Sequence, residues 1–418
     1  MAAIAKIKRE LYMKGSKEHG AACVNVYYVG NGLRREEILS YERYSDWSEG
    51  FRIRTSEDNG STWSDWKLYP VVHLFQSGHS KEEAPVNSCY DPVSKKHIQF
   101  LFQRITIGKG EEAIAKYFET GEQTFFDHNF WQISEDDGLT WGEPHLLKYE
   151  EGRDFDPANW GQEEYLRANQ MYGGYAAVAT REGTVVYPSC GVPMEITDRG
   201  EKEKGWGLFC FIGKWDPAGK TYLWKLSEPI YVPRRVSGRG LMEPVIAELL
   251  DGRLLLMMRG SNHVFPPDPK VTVENGGHKW MSFSKDGGYT WSPVTDFRYD
   301  TGEQFYSPSA FARLLRHSRT QKLYCFLNIS PSPTRGNEPR YPLYIAEVDE
   351  SIPALRKSTL TVIDDRNPNS DTEQVQFSNF SLFENRETGE MELYLTRYGE
   401  RNNVFAADSY KYTITLRE

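Results

Sequence analysis

Along the chain, short stretches of alternating apolar and polar residues are separated by clusters of Gly, Asn, Asp and Pro. Glu37-Ile38-Leu39-Ser40-Tyr41 and Phe51-Arg52-Ile53-Arg54 show the two-residue period of half-buried strands. Directly after such a stretch comes Ser56-Glu57-Asp58-Asn59-Gly60-Ser61-Thr62-Trp63. The same pattern returns as Ser134-Glu135-Asp136-Asp137-Gly138-Leu139-Thr140-Trp141 and as Ser284-Lys285-Asp286-Gly287-Gly288-Tyr289-Thr290-Trp291. A degenerate copy spans Gly213 to Tyr222, around Asp216. A period of about 70 to 80 residues holding several short strands predicts one propeller blade per repeat.

Each octet residue has a mechanical job in a tight turn. The Asp carboxylate can accept backbone N–H bonds, the Gly can take a positive φ, and the Trp can close the hairpin and pack on a neighbour. The octets are therefore read as scaffold. Two further strand-rich stretches, Ser309 to Val348 and Phe377 to Leu416, extend the series. Six blades then account for residues 1–418 as one all-β propeller domain, with Tyr410 to Leu416 expected to pair with N-terminal residues. Two insertions interrupt the pattern, one near 105–126 with a helix-like Glu111-to-Phe118 segment, the other near 150–169. Insertions of that length are more often functional rims than linkers.

Composition narrows the classes. Aromatics make up 14% of the 418 residues, with 35 Gly and 22 Pro, which favours strands and turns over helices. No run of eighteen apolar residues is present, so no transmembrane helix and no membrane partner is expected. The net charge of −9 argues against a nucleic-acid binder. The charged start suggests a cytoplasmic protein, or a secreted or periplasmic one had a leader preceded it. The five cysteines form no C-x-x-C pair and are expected to be free thiols. His79 and His97 lack partners at metal-ligand spacing, so neither a metal nor a cofactor is expected.

The octets resemble the Asp box, or BNR repeat, of the sialidase superfamily. The resemblance implies a six-bladed sialidase-like propeller over nearly the whole chain. A second segment, from Glu243-Pro244-Val245 through the Asp251-Gly252 turn to Met257-Met258-Arg259, resembles the sialidase stretch joining a catalytic Glu to an Arg. In that family the Glu polarises a nucleophilic Tyr, and the Arg is one of three that grip the substrate carboxylate. Asp-Gly is a strong hairpin signal, so Glu243 and Arg259 are expected on neighbouring strands. A third segment, Asn328 to Leu343, resembles the stretch carrying the third Arg, which makes Arg340, and next Arg335, candidates for substrate binding. The chain departs from the family in two places. No Arg-Ile-Pro motif occurs in the first blade, and Gln376-Phe377-Ser378-Asn379-Phe380-Ser381 holds no Tyr where the nucleophile would stand.

These readings leave three functions. The first is an exo-acting glycoside hydrolase on an acidic or deoxy-sugar glycan, since Arg matches a carboxylate bidentately. Hydrolysis needs a carboxylic acid and a second group as base or nucleophile. Glu243 leads, with Asp46, Asp127 and Glu42 as partners and Asn379 as a substrate contact. The second is a polysaccharide lyase, with His128 and Tyr172 taking the base and acid roles of β-elimination. The third is a non-catalytic carbohydrate-binding propeller, with Trp160, Trp206 and Tyr175 stacking on sugars. Each takes an oligosaccharide or polysaccharide partner. Were Arg259 solvent-lined, its removal would spare the fold.

Overall fold

The computed structural model describes residues 3–15, 20–43, 51–68, 74–108, 110–150, 157–174, 176–264, 268–274 and 277–417. Among them, antiparallel strands meander through six sheets in chain order. Strand β1 (Ala5–Met13) precedes the first sheet, made of β2 (Ala21–Tyr28), β3 (Arg35–Glu42), β4 (Phe51–Ser56) and β5 (Lys67–Leu68). The second holds β6 (Leu74–Gln76), β7 (His79–Asp91), β8 (Lys96–Ile107), β9 (Phe125–Ser134) and β10 (His145–Leu146), with helix α1 (Gly110–Thr120) between β8 and β9. A short helix α2 (Glu163–Arg167) leads to the third, of β11 (Tyr172–Gly173), β12 (Val178–Ala179), β13 (Thr184–Asp198), β14 (Glu201–Asp216) and β15 (Thr221–Leu226). The fourth holds β16 (Met242–Glu248), β17 (Leu254–Arg259), β18 (Lys279–Ser284) and β19 (Thr295–Asp296). The fifth holds β20 (Arg313–Arg316), β21 (Leu323–Asn328), β22 (Leu343–Asp349), β23 (Ala354–Leu355) and β24 (Thr361–Asp364). In the sixth, β25 (Ser381–Glu384), β26 (Met391–Thr396) and β27 (Ser409–Leu416) are completed by β1. The pairing of the last strand with the N-terminus runs from Ala5 opposite Leu416 to Met13 opposite Ser409.

The octets sit where expected, in the turns that lead into the last strand of their sheets: β4 to β5, β9 to β10 and β18 to β19. Ser56 Oγ donates to Asp58 Oδ1 at 2.8 Å, and the Thr62 amide and hydroxyl donate to Asp58 at 2.8 and 2.6 Å. The second octet repeats these three distances. In the degenerate copy only the Asp216 carboxylate survives, accepting from the Ala218 and Gly219 amides. The residue before each octet Gly is also left-handed: Asn59 and Asp137 at φ 59°, Gly287 at 78°. Asn, Asp and Gly are the residues that adopt this region most cheaply, which explains the composition there. Asp286 is held below the usual carboxylate range, its Thr290, Ser284 and Tyr289 donors outweighing the opposing effect of partial burial. Asp286→Ala should therefore cost roughly 1–2 kcal/mol, read as a lowered urea midpoint at pH 7.

Two compact units result. One comprises Met1–Pro70, Gly276–Lys279 and Asp296–Glu418, the other Val71–Asn275 and Trp280–Thr295. In the first unit, Phe326, Leu343, Phe377, Leu393 and Ile414 form one fully buried cluster. Each such side chain contributes about 1.5–3 kcal/mol of burial. In the second unit, Ile98, Phe100, Val185, Tyr187 and Phe211 join the second and third sheets, with Phe100 stacked on Tyr187 at 4.0 Å. The insertion expected from residue 105 to 126 is shorter, because β8 continues to Ile107 and β9 begins at Phe125. All five cysteines are free thiols.

Candidate active site

In the second sheet, antiparallel register sets Glu82 on β7 opposite Arg104 on β8, and Arg104 opposite Asp127 on β9. Directly opposed residues share a face, so these three form one row. The Arg104 guanidinium grips Asp127 through two bonds, Nε to Oδ1 at 2.8 Å and Nη2 to Oδ2 at 3.0 Å. Aromatic rings surround it: Phe125 at 4.4 Å, Phe102 at 5.1 Å and Tyr172 at 5.8 Å. Tyr172, on β11, meets Phe102 edge-on at 5.4 Å. Burial pushes the Glu82 carboxyl up to about 7, with the Arg104 charge opposing and the Asp127 charge adding.

The next row, Glu83, Gln103 and His128, faces the other way. His128 is fully buried, its Nε2 within 2.9 Å of the Tyr165 carbonyl and 3.1 Å of the Ala168 carbonyl. Two acceptors at Nε2 put the proton there and leave Nδ1 as the bare nitrogen. Its ring packs on Tyr165 at 4.6 Å. The structure therefore does not bring His128 and Tyr172 to a common face. Burial lowers the pKa of His128 below its ordinary 6.5. A depressed folded pKa means stability is fully present above the unfolded value and is lost as pH falls below it. Between pH 7.5 and 5.5 the wild type should lose more melting temperature than His128→Gln; equal losses would place the acid-sensitive group elsewhere.

In the fourth sheet the β16–β17 hairpin turns at Asp251-Gly252, with Gly252 at φ 86°. Met242 pairs with Arg259, and a bulge interrupts the register between Met242 and Val245. Glu243 lies in that bulge at φ 46°, a left-handed conformation that a Glu followed by Pro adopts only under constraint. Its carboxylate meets Arg259 Nη1 at 2.9 Å, and both residues are only 9% exposed.

Cys190 ties this hairpin to the row on the second sheet. It pairs in register with Tyr172. Burial pushes its thiol up to about 12, modulated by the Glu243 backbone and by the charges of Glu243, Arg259 and Asp127. Tyr117 of α1 is likewise raised by burial and feels Arg239, Asp127 and Arg104. Within this unit the structure thus gathers Glu82, Arg104, Asp127, Tyr172, Arg239, Glu243 and Arg259. Glu82, Arg104 and Arg239 were missed from sequence. The available signal was an arginine inside the mostly apolar run Phe100-Leu101-Phe102-Gln103-Arg104-Ile105.

Of the other candidates, Arg340, Arg335, Asn379 and Glu42 lie in the first unit, Trp160 and Trp206 in the second. Arg340 donates to Gln376 Oε1 at 3.0 Å, Ser378 Oγ at 3.3 Å and the Ser309 carbonyl at 3.0 Å. Arg335 is exposed and bridges through its backbone to Glu338. Asn379 is exposed at φ 59°. Glu42 accepts from the Tyr398 hydroxyl at 2.5 Å. Asp46 and Tyr175 lie outside the described residues. Trp160, expected as a sugar platform, is instead 5% exposed, because it packs with Ile105, Phe126 and Tyr165. Trp206 is partly buried on β14. A cavity of about 330 Å³ in the first unit is lined by Tyr12, Arg35, Trp63, Glu392, Tyr394 and Lys411. Its charges satisfy one another, Arg35 and Lys411 meeting Glu392 at 3.1 and 2.9 Å, which reads as a structural network.

No protein-family model matches the chain, and no curated protein matches it. Solved structures do. The NanB sialidase from Streptococcus pneumoniae aligns with TM-score 0.58 at 14% identity, over 97% of this chain and 70% of that one. The Hadza microbial sialidase Hz136 aligns with TM-score 0.56 at 15% identity, over 98% and 68%. The GH93 alpha-L-arabinofuranosidase of Fusarium graminearum aligns with TM-score 0.50 at 12% identity, over 99% and 98%. With six meandering sheets, the last completed by the first strand, these likenesses show the fold to be a six-bladed, all-β propeller of sialidase-like type.

Proposed function

We propose that the protein is an exo-acting glycoside hydrolase of sialidase-like type, acting on an acidic or deoxy-sugar glycan. The observation that carries this reading is the buried Glu243–Arg259 pair, held in a strained bulge. Strain of this kind persists where the surroundings over-determine it, and it gathers at functional sites. Glu243, with Arg259 Nη1 at 2.9 Å from its carboxyl group, is suited to act as base or nucleophile at the anomeric carbon. Arg104, Arg239 and Arg259 give the surroundings a cationic bias that favours an anionic sugar, and Tyr172 offers a ring beside Arg104. The solved neighbours named above are sialidases and an arabinofuranosidase, which supports a carbohydrate partner. Elimination through His128 is disfavoured, since that histidine is fully buried and its pKa is lowered.

The test uses acidic oligosaccharides labelled at the reducing end. Exo-hydrolysis releases single sugars from the other end and leaves a ladder of shortened labelled products. An ultraviolet-absorbing unsaturated sugar would mean elimination, and binding without any product would mean a carbohydrate-binding propeller.

A further inference from the structure

We propose that the cavity of the first unit binds a neutral sugar residue, at a site that shares no residue with the catalytic assignment. The proposal goes beyond the hydrolase reading and stands whether or not the protein turns over a glycan. At about 330 Å³ the cavity lies at the small end of ligand pockets, which run from roughly 300 to 1,000 Å³. Its wall carries the rings of Tyr12, Trp63 and Tyr394, with Tyr12 and Tyr394 meeting edge-on at 4.9 Å. Beside them Glu392, 4% exposed, accepts from Arg35 Nη1 at 3.1 Å, Asn385 Nδ2 at 2.6 Å, the Tyr394 hydroxyl at 3.0 Å and Lys411 Nζ at 2.9 Å. The turn behind which this cluster lies does not require it. A Cβ placed on Gly288 of the third octet would meet Val186 and Ile212 at 3.3 and 3.5 Å, so apolar side chains close the space there. On Gly60, at the same position of the first octet, it would meet Arg35 Nη1 at 3.0 Å and Trp63 at 3.5 Å. Well-packed apolar residues in place of a buried ion pair often keep or raise stability, so stability alone gives little reason for charges beside a void.

The ligand class follows from how the charges are arranged. Arg35 and Lys411 both meet Glu392, and the exposed Glu387 on the rim accepts from Asn59 Nδ2. An anionic sugar would face Glu387 and Glu392, and a cationic one Arg35 and Lys411. A hydroxyl both donates and accepts, so a ring of hydroxyls suits a wall on which donors and acceptors stand side by side. Donors remain for it. The Lys411 ammonium has three N–H groups, reaches Glu392 and is 27% exposed. The Nε of Arg35 is buried without a hydrogen-bond partner. The Arg35 guanidinium is also fixed in place, with the Tyr28 and Phe383 rings 4.8 and 4.9 Å away, so little freedom is lost on binding. The three aromatic rings supply apolar surface for the C–H groups of the sugar.

The test is saturation-transfer NMR of the whole protein with the methyl glycosides of glucose, galactose and N-acetylglucosamine, and with methyl glucuronide as the anionic comparison. At least one neutral glycoside should bind the wild type, and Ser61→Tyr should abolish that binding. Ser61 is exposed on the cavity rim, and the other octets carry Leu139 and Tyr289 at its position, so the turn accommodates a tyrosine. The added ring fills the mouth and leaves the Glu392 cluster in place. Lys411→Met keeps the stem but removes the ammonium donors; it should also lose binding, and it is the check if Ser61→Tyr does not fold. Glu243→Gln should bind the neutral glycoside as the wild type does. Failure of all three neutral glycosides to bind overturns the proposal. So does binding that a folded Ser61→Tyr leaves unchanged, or binding that Glu243→Gln abolishes. Binding of methyl glucuronide alone, lost in Ser61→Tyr, overturns the neutral class. None of these results decides the hydrolase reading, which stands or falls on product analysis.

Discussion

Glu243→Gln should bind its glycan with little change in affinity yet turn it over at least about 10³-fold more slowly, the loss expected when a nucleophile or base is neutralised. The substitution keeps the volume and offers Arg259 an amide oxygen in place of the carboxylate that now sits 2.9 Å away. A large loss of binding would instead mean that the residue shapes the cavity. Steady-state kinetics beside calorimetric titration separate these outcomes. The strained φ of 46° is a backbone property set by the bulge and by Pro244, so the glutamine should occupy the same place.

Arg259→Ala should unfold more easily than the wild type by roughly 3–5 kcal/mol. The condition under which its removal would spare the fold is not met, for Arg259 is 9% exposed and its partner Glu243 is equally buried. Removing the cation leaves a buried carboxylate without its closest counter-charge. The effect on stability is thus no evidence against a catalytic role, and the useful comparison is a double-mutant cycle. Glu243→Gln combined with Arg259→Ala should recover part of the loss, because no uncompensated charge remains. Strict additivity in denaturant titrations would show that the pair is not coupled. Arg259→Lys keeps charge but loses the planar fork, and should retain stability better than it retains activity.

The blades were legible because their signal is local. Each octet carries its own turn chemistry, with Ser, Asp and Thr bonding to one another over a span of a few residues. The Glu243–Arg259 hairpin was legible for the same reason, since Asp251-Gly252 announces the turn that aligns the strands. The row Glu82–Arg104–Asp127 was not, because it depends on register across three strands, and no residue near any of the three specifies the others. The adjacent candidates Asp127, named for hydrolysis, and His128, named for elimination, show how narrow the margin is. From Phe126 to Trp131 every residue of β9 is buried, so no polar–apolar alternation marks which side chains share a face. One step along the strand exchanges a carboxylate gripped by arginine for an imidazole sealed beneath Tyr165. Trp160 misled for a related reason: aromatic residues in a loop read as platforms until packing is known.

The most direct measurement is product analysis for wild type and Glu243→Gln on one panel of anionic and deoxy-sugar glycans, following reducing ends, ultraviolet absorbance and binding together. The account predicts new reducing ends with no rise in absorbance for the wild type, and retained binding without product for Glu243→Gln. Undiminished turnover by Glu243→Gln, or wild-type binding without any product across the panel, would contradict it.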